Sequence, residues 1–410
     1  MKLKKEIKRI SPVVKRIIKD KAINVITQLF SDDSIMPNCF HSDYDKKVLL
    51  SYIKEPFKNP DEISKRHTNL TECYTIAKIF DKLGFRIDCI ESTSSLKVNF
   101  ENYDVFLGIG TNIFPSSFFC LKNIIRIYYS PGAHPMYASI GSSMRIREVY
   151  NNTKKWMISS YLYGGPKNWC YSVLLTDHVI VVGNDFVKEN YTKWDKQYTR
   201  YSNLNLFYFN CFLPDLNNKV FFKSQKNFLW FGSRGLIHKG LDICMDIFLK
   251  RDDITLHICG APHKETEFWS YYAPLIKNCR NIIDHGFVDI ESGEFAEILS
   301  QCAFVVNPSV SEGGAGALLN VIANGGLFPI YSKATGVDFD NNGIEVDEIS
   351  IDSFERAIDS ALNITIEDLK QKSITLNKYV RELYTLENYE INMERIIKKI
   401  LSDKGLNLKL

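Results

Sequence analysis

Twice along the chain, short apolar runs alternate with amphipathic stretches. That alternation is the pattern of βα units building parallel sheets. The first series contains "VLLSYI" (48–53), the amphipathic run "TECYTIAKIFDKLG" (71–84), then "FRIDCIE", "DVFLGIG", "IIRIYYS" and "DHVIVVG" (177–183). In the amphipathic run Tyr74, Ala77, Phe80 and Leu83 follow helical spacing, and Gly84 suits a C-terminal cap. Residues 184–222 are less regular, as fits a last element and a connection. The second series opens with "NFLWFGS" (227–233) and runs from strand to helix in strict alternation through "KGLDICMDIFLK", "ITLHICG", "EFWSYYAPLIK", "NIIDHGF", "EFAEILS", "AFVVNPS", "GALLNVIAN" and "LFPIYS". The tail "LENYEINMERIIKKILSDKG" (386–405) reads as a closing helix.

A chain of 410 residues, at roughly 150 per domain, is long enough for two cores. We expect a basic helical segment at 1–45, a first doubly wound α/β domain at 46–215, a second at 216–385, and the closing helix at 386–410. Two such halves facing a cleft put ligand sites at the carboxyl ends of their strands.

Charge and cysteine usage narrow the class. A net charge of +3 is too mild for a nucleic-acid binder. Positive charge gathers only in "MKLKKEIKRISPVVKRIIKDK", where nine Lys and Arg face two acids among interleaved aliphatic residues. That segment, residues 1–22, suits either a solvated helix flank or a peripheral contact with an acidic partner or the inner membrane surface. The ten cysteines show no C-x-x-C pair and no zinc-like spacing, and so read as reduced core thiols of a cytoplasmic protein. No secretory signal and no run of about 18 apolar residues is evident.

Three stretches carry candidate chemistry, each directly after an expected strand. In "FGSRGLIHKG" (231–240), Arg234 and Lys239 straddle a turn, so that a planar fork and a mobile point charge could converge on one diphosphate. In "SEGGAGALLN" (311–320), Gly313, Gly314, Ala315 and Gly316 lead into an apolar helix. Small residues there allow close backbone approach, and free N–H groups with the helix dipole favour a phosphate. Glu312 beside an anion site needs another partner, and sugar hydroxyls suit an acceptor-only carboxylate. In "HGFVDIES" (285–292), backbone groups of Phe287 and Val288 could pair with a flat base edge. Each stretch also has a purely structural reading as a surface loop or turn.

Taken together, "FGSRGLIHKGLD", "ITLHICG", "IIDHGFVD", "AFVVNPSVSEGGAGALLNVIANGG" and "PIYSKATG" resemble the nucleotide-sugar domain of the retaining glycosyltransferases of the GT-B fold, the group 1 or family 4-like enzymes of bacterial polysaccharide and lipopolysaccharide synthesis. The resemblance is close over about 226–335 and looser over most of the rest. It implies two Rossmann-like domains, the first holding the acceptor. It also implies that Arg234 and Lys239 hold the donor diphosphate, that Glu312 contacts the transferred sugar, and that Gly314 to Leu318, with Ala317 among them, cradle the phosphates. Gly232 and Gly313 belong to the same donor site, Phe287 and Val288 fall where the nucleobase is held, and His134 in "IIRIYYSPGAHPMY" falls where relatives carry a His facing sugar and phosphate. The family pattern has a second Glu eight residues after the first, gripping the ribose; this chain has Asn320 there.

The expectation is therefore a cytoplasmic, metal-independent glycosyltransferase with no cofactor. It would move a sugar from a nucleotide-diphosphate donor to a saccharide or lipid-linked acceptor, with retention, in cell-surface glycan synthesis. Two alternatives stay open: a nucleotide-sugar epimerase on the same fold, and a catalytically degenerate glycan-binding or scaffold subunit, for which Asn320 is the best support.

Overall fold

The computed structural model describes residues 35–65, 67–94, 98–120, 122–158, 169–193 and 200–406. Of the helical segment expected at 1–45, residues 1–34, with the basic stretch at 1–22, lie outside them; the described 35–45 hold no helix, and Met36 bridges Cys89 of the first sheet instead. Two six-stranded parallel sheets form the frame. The first contains β1 Lys46–Tyr52, β2 Phe85–Glu91, β3 Val105–Gly108, β4 Ile125–Ser130, β5 His178–Val182 and β6 Arg200–Leu204, in the order β2-β1-β3-β4-β5-β6. The second contains β7 Asn227–Phe231, β8 Thr255–Cys259, β9 Ile282–Gly286, β10 Phe304–Asn307, β11 Phe328–Ser332 and β12 Ile344–Val346, in the order β12-β11-β10-β7-β8-β9. Strands covered on both faces are apolar almost throughout, and the fully buried β3, β5 and β10 are the runs that the sequence made plainest.

Among the helices are α1 Thr68–Lys82, α2 Ile113–Phe119, α3 Pro135–Thr153, α4 Trp169–Leu174, α5 Leu241–Phe248, α6 Gly316–Gly325, α7 Ile366–Leu383 and α8 Leu386–Asp403. After the second sheet is complete, α8 crosses back and packs on α1 and β6. Its Met393 and Ile397 join a core that also holds Leu50, Ile76 and Leu318. In the opposite sense α3 leaves the first half: its Ile146 and Val149 belong to the core around Trp230, Leu236 and Leu241. Two polar contacts accompany it, the Ser142 hydroxyl to His238 Nδ1 at 2.7 Å and a buried ion pair of Arg145 with Asp242 on α5. The halves are thus tied by exchanged helices as well as by the chain between them.

Of the four histidines buried among the described residues, three are held far below the ordinary imidazole value. Burial pushes His134, His178 on β5 and His257 on β8 each down to about 4, with Arg200 adding to the effect at His178 and His285 at His257. All three are neutral in the folded chain near pH 7 and protonate in the unfolded chain below about 6.5. The unfolded state therefore binds more protons as pH falls, and stability is lost between about 6.5 and 4. Denaturant midpoints measured from pH 6.5 to 5 should fall by the equivalent of on the order of 3–5 kcal/mol. A flat profile across that window would show that these rings are not held neutral.

Candidate active site

The carboxyl ends of both sheets face one cavity of about 430 Å³. From the second half it is lined by Gly232, Arg234, Lys239, Phe287, Val288, Glu312, Gly313, Ala315, Gly316, Ala317 and Asn320, so most of the residues singled out in the sequence converge there. Across the mouth, Lys65 of the first half pairs with Glu291 of the second at 2.6 Å.

The loop after β7 explains how two cations come to this wall. Gly235 and Leu236 donate their N–H groups to the buried carboxylate of Glu265, the latter at 3.1 Å, which fixes the turn between Arg234 and Lys239. Trp230 Nε1 donates to the Lys239 carbonyl at 3.1 Å and anchors the far end. Arg234 is exposed at the cavity and makes no hydrogen bond or ion pair with any described residue. Lys239 behaves differently, because its ammonium bonds the Glu312 carboxylate, which also accepts the Ser309 hydroxyl at 3.0 Å. Burial raises the Glu312 carboxyl, but the charge of Lys239 and the two hydrogen bonds outweigh it and hold the group below the usual carboxylate value. Glu312 and Lys239 form one ion pair beside Arg234, whose charge no described residue neutralises.

The loop after β10 brings the halves together. A Cβ on Gly313 would stand 2.3 Å from the Pro131 carbonyl oxygen, so only glycine lets the turn after β4 lie against it. Ala315, the N-cap of α6, sits at φ 39° and offers no side chain to cap the first turn. A non-glycine residue in that region is uncommon. Gly316 and Ala317, the first residues of this uncapped helix, line the cavity, an arrangement suited to an anion.

Three expected site residues are not in this group. Gly314 packs on Leu206 and Val182, and Leu318 belongs to the core. His134 is buried and does not line the cavity: it is the N-cap of α3, its Nδ1 accepting the Met136 N–H at 3.2 Å, with its ring edge-on to Tyr191. Pro135 at the first helical position marks that helix start in the sequence.

Asn320 lines the cavity, but its amide has a structural task. Its Oδ1 accepts the Phe209 N–H at 2.9 Å and its Nδ2 donates to the Gly316 carbonyl at 2.7 Å. One turn on, Asn324 accepts from Cys211 and Phe212 and donates to the Phe209 carbonyl. The buried connection between the halves has no ladder of its own, and these two amides supply its backbone partners. Two amides four residues apart on an apolar helix were the legible signal, since buried polar groups need partners. Asn320→Ala would leave the Phe209 N–H unpaired and should lower unfolding stability by about 1–3 kcal/mol in denaturant titration. A loss under about 0.3 kcal/mol would remove the strut role.

Sequence reasoning missed four polar residues that shape the site: Glu265, His238, His67 and Glu72. His238, buried, bonds the Ser311 carbonyl through Nε2 at 2.8 Å and Ser142 through Nδ1, and so ties α3 to the Glu312 loop. His67 and Glu72 lie on the first-half wall of the cavity.

By sequence, no protein-family model and no curated protein matches the chain. Its structure is similar to solved structures at low identity. A sucrose-phosphate synthase from Thermosynechococcus elongatus superposes with TM-score 0.60 at 12% identity, covering 87% of this chain and 100% of that one. A glycosyltransferase from Rickettsia africae gives 0.57 at 16%, covering 87% and 99%. The Anabaena protein HepE in complex with UDP and glucose gives 0.57 at 11%, covering 88% and 100%. The two parallel sheets and their interleaved helices are the GT-B architecture.

Proposed function

We propose that the chain is a GT-B glycosyltransferase that moves a sugar from a nucleotide-diphosphate donor to a saccharide or lipid-linked acceptor. The observation that carries this is the convergence, on one cleft wall, of the free cation Arg234, the Lys239–Glu312 pair and the uncapped N-terminus of α6. As the bond to the leaving diphosphate breaks, negative charge grows on its oxygens. Preorganised cations and N–H groups favour that state over the ground state. Glu312 beside them offers acceptor oxygens to sugar hydroxyls. A retaining course fits, with the departing phosphate oxygen taking the acceptor proton. HepE, solved with UDP and glucose, supports a uridine donor by likeness of fold.

Because fixed cations and helix N–H groups supply the positive charge, turnover should not depend on a divalent ion. A screen of nucleotide sugars for donor hydrolysis or transfer, run with and without EDTA, tests this. Activity with at least one donor, unchanged by EDTA, is expected. Activity abolished by EDTA and restored by manganese would contradict the metal-independent scheme. An altered donor sugar formed with no acceptor present would favour an epimerase instead.

A further inference from the structure

On the wall opposite the Lys239–Glu312 pair, one carboxylate takes no part in holding the donor. Glu72, on the second turn of α1, is only 1% exposed and yet lines the cavity. Its Oε2 accepts the hydroxyl of Tyr129 and, at 3.3 Å, that of Tyr52. Behind them the Tyr389 hydroxyl of α8 stands 2.9 Å from that of Tyr129. Burial, with the charge of Glu72, pushes all three phenols well above their ordinary value, so they stay protonated and serve as donors. Glu72 forms no ion pair with any described residue, and its Oε1 has no hydrogen-bond partner among them. A buried carboxylate with one oxygen turned to a cavity calls for an O–H or N–H partner from what enters.

His67 completes this wall. It is exposed at the cavity, and its Nδ1 accepts the Asn69 N–H at 3.2 Å, which leaves the ring proton on Nε2. Desolvation by the protein around the cavity lowers its pKa although the ring stays accessible, and Lys239 and Arg234 add to that against Glu72 and Glu312, so the neutral ring lies within the field of both groups.

We propose that Glu72, backed by Tyr52 and Tyr129 and flanked by His67, is the recognition site for the acceptor, and that it selects a neutral hydroxyl-bearing saccharide over an anionic one. This rests on the glycosyltransferase reading above. A saccharide O–H donates to Oε1 while a neighbouring oxygen accepts from His67 Nε2. A phosphate or carboxylate at the same place meets an uncompensated carboxylate and is repelled.

The test compares the full chain with its Glu72→Gln variant, in which the amide oxygen still accepts the tyrosines but an NH₂ replaces the free acceptor. Neutral methyl glycosides of glucose, galactose, mannose and N-acetylglucosamine, together with glycerol 3-phosphate and glucosamine, are titrated by ligand-observed NMR, and UDP by calorimetry. At least one neutral glycoside is expected to bind the native chain and to lose about ten-fold in affinity in the variant, with UDP affinity within two-fold. Should that variant fail to fold, Tyr52→Phe is expected to weaken the same glycoside about three-fold. Binding of no neutral glycoside, equal binding by both forms, or preference for glycerol 3-phosphate or glucosamine would overturn the proposal. Absence of UDP binding alone would instead count against the glycosyltransferase reading.

Discussion

Lys239→Ala is expected to lower turnover by about 100-fold or more, equivalent to roughly 3 kcal/mol of lost transition-state stabilisation. The loss has two sources. The ammonium no longer faces the charge developing on the leaving group, and Glu312 is left buried without its counter-charge. Since Lys239 is what holds the Glu312 carboxyl below its usual value, that value should rise in the variant, and any residual activity should fall away at a higher pH on the acid side than in the native chain. Arg234→Ala should cost turnover on the same scale but differ in stability. Arg234 is exposed and unpaired, so its removal should leave the unfolding midpoint within about 0.5 kcal/mol. Lys239 is mostly buried against Glu312 and should cost measurably more. Steady-state kinetics and urea titration of both variants check this; near-native turnover in either removes that residue from the chemistry.

Arg145→Met should destabilise the fold by about 3–5 kcal/mol. Arg145 leaves the first half on α3 and meets Asp242 on α5 of the second, with both side chains at most 5% exposed. Burial already pushes the Asp242 carboxyl up to about 6 against the pull of Arg145. Without the guanidinium it should rise further. A carboxyl whose folded value is raised binds its proton more tightly in the folded chain, so its stability contribution is lost as pH rises through that value. The penalty of the single variant should therefore be larger at pH 8 than at pH 5. Adding Asp242→Leu should recover most of it, because an apolar pair of similar volume avoids the buried charge. A single-variant loss under about 1 kcal/mol, or a penalty independent of pH, would mean that the ion pair does not tie the halves.

What was legible followed from local patterns. The buried strands announced themselves as apolar runs, and the Arg234, Lys239 and Glu312 loops could be found because each follows such a run with glycine at the turn. Helix α3 escaped notice. Its inward positions are Ala138, Ser142, Arg145, Ile146 and Val149, a face whose polar members reach His238 and Asp242, 96 and 97 residues on. β6, "RYSNL", is a half-buried edge strand with too few apolar residues to stand out. Glu72 falls four residues before Ile76 and seven before Ile79 on the buried face of α1, so its burial could have been read; its tyrosine partners come from β1 and β4, backed by a third on α8, and no local pattern reports them. Asn320 taught the opposite lesson. Its departure from the acidic pattern suggested an altered donor contact, whereas the fold uses both ends of the amide to hold the connection between the halves.

Calorimetric titration of nucleoside diphosphates into the native chain, and into a chain carrying both Arg234→Ala and Lys239→Ala, tests the central claim most directly. At least one nucleoside diphosphate should bind the native chain without added metal, and its affinity should fall by at least about 100-fold in the double variant, the loss expected for two charge-assisted contacts. Binding of none of them, or equal binding by both chains, would contradict the assignment of this cleft to a nucleotide-sugar donor.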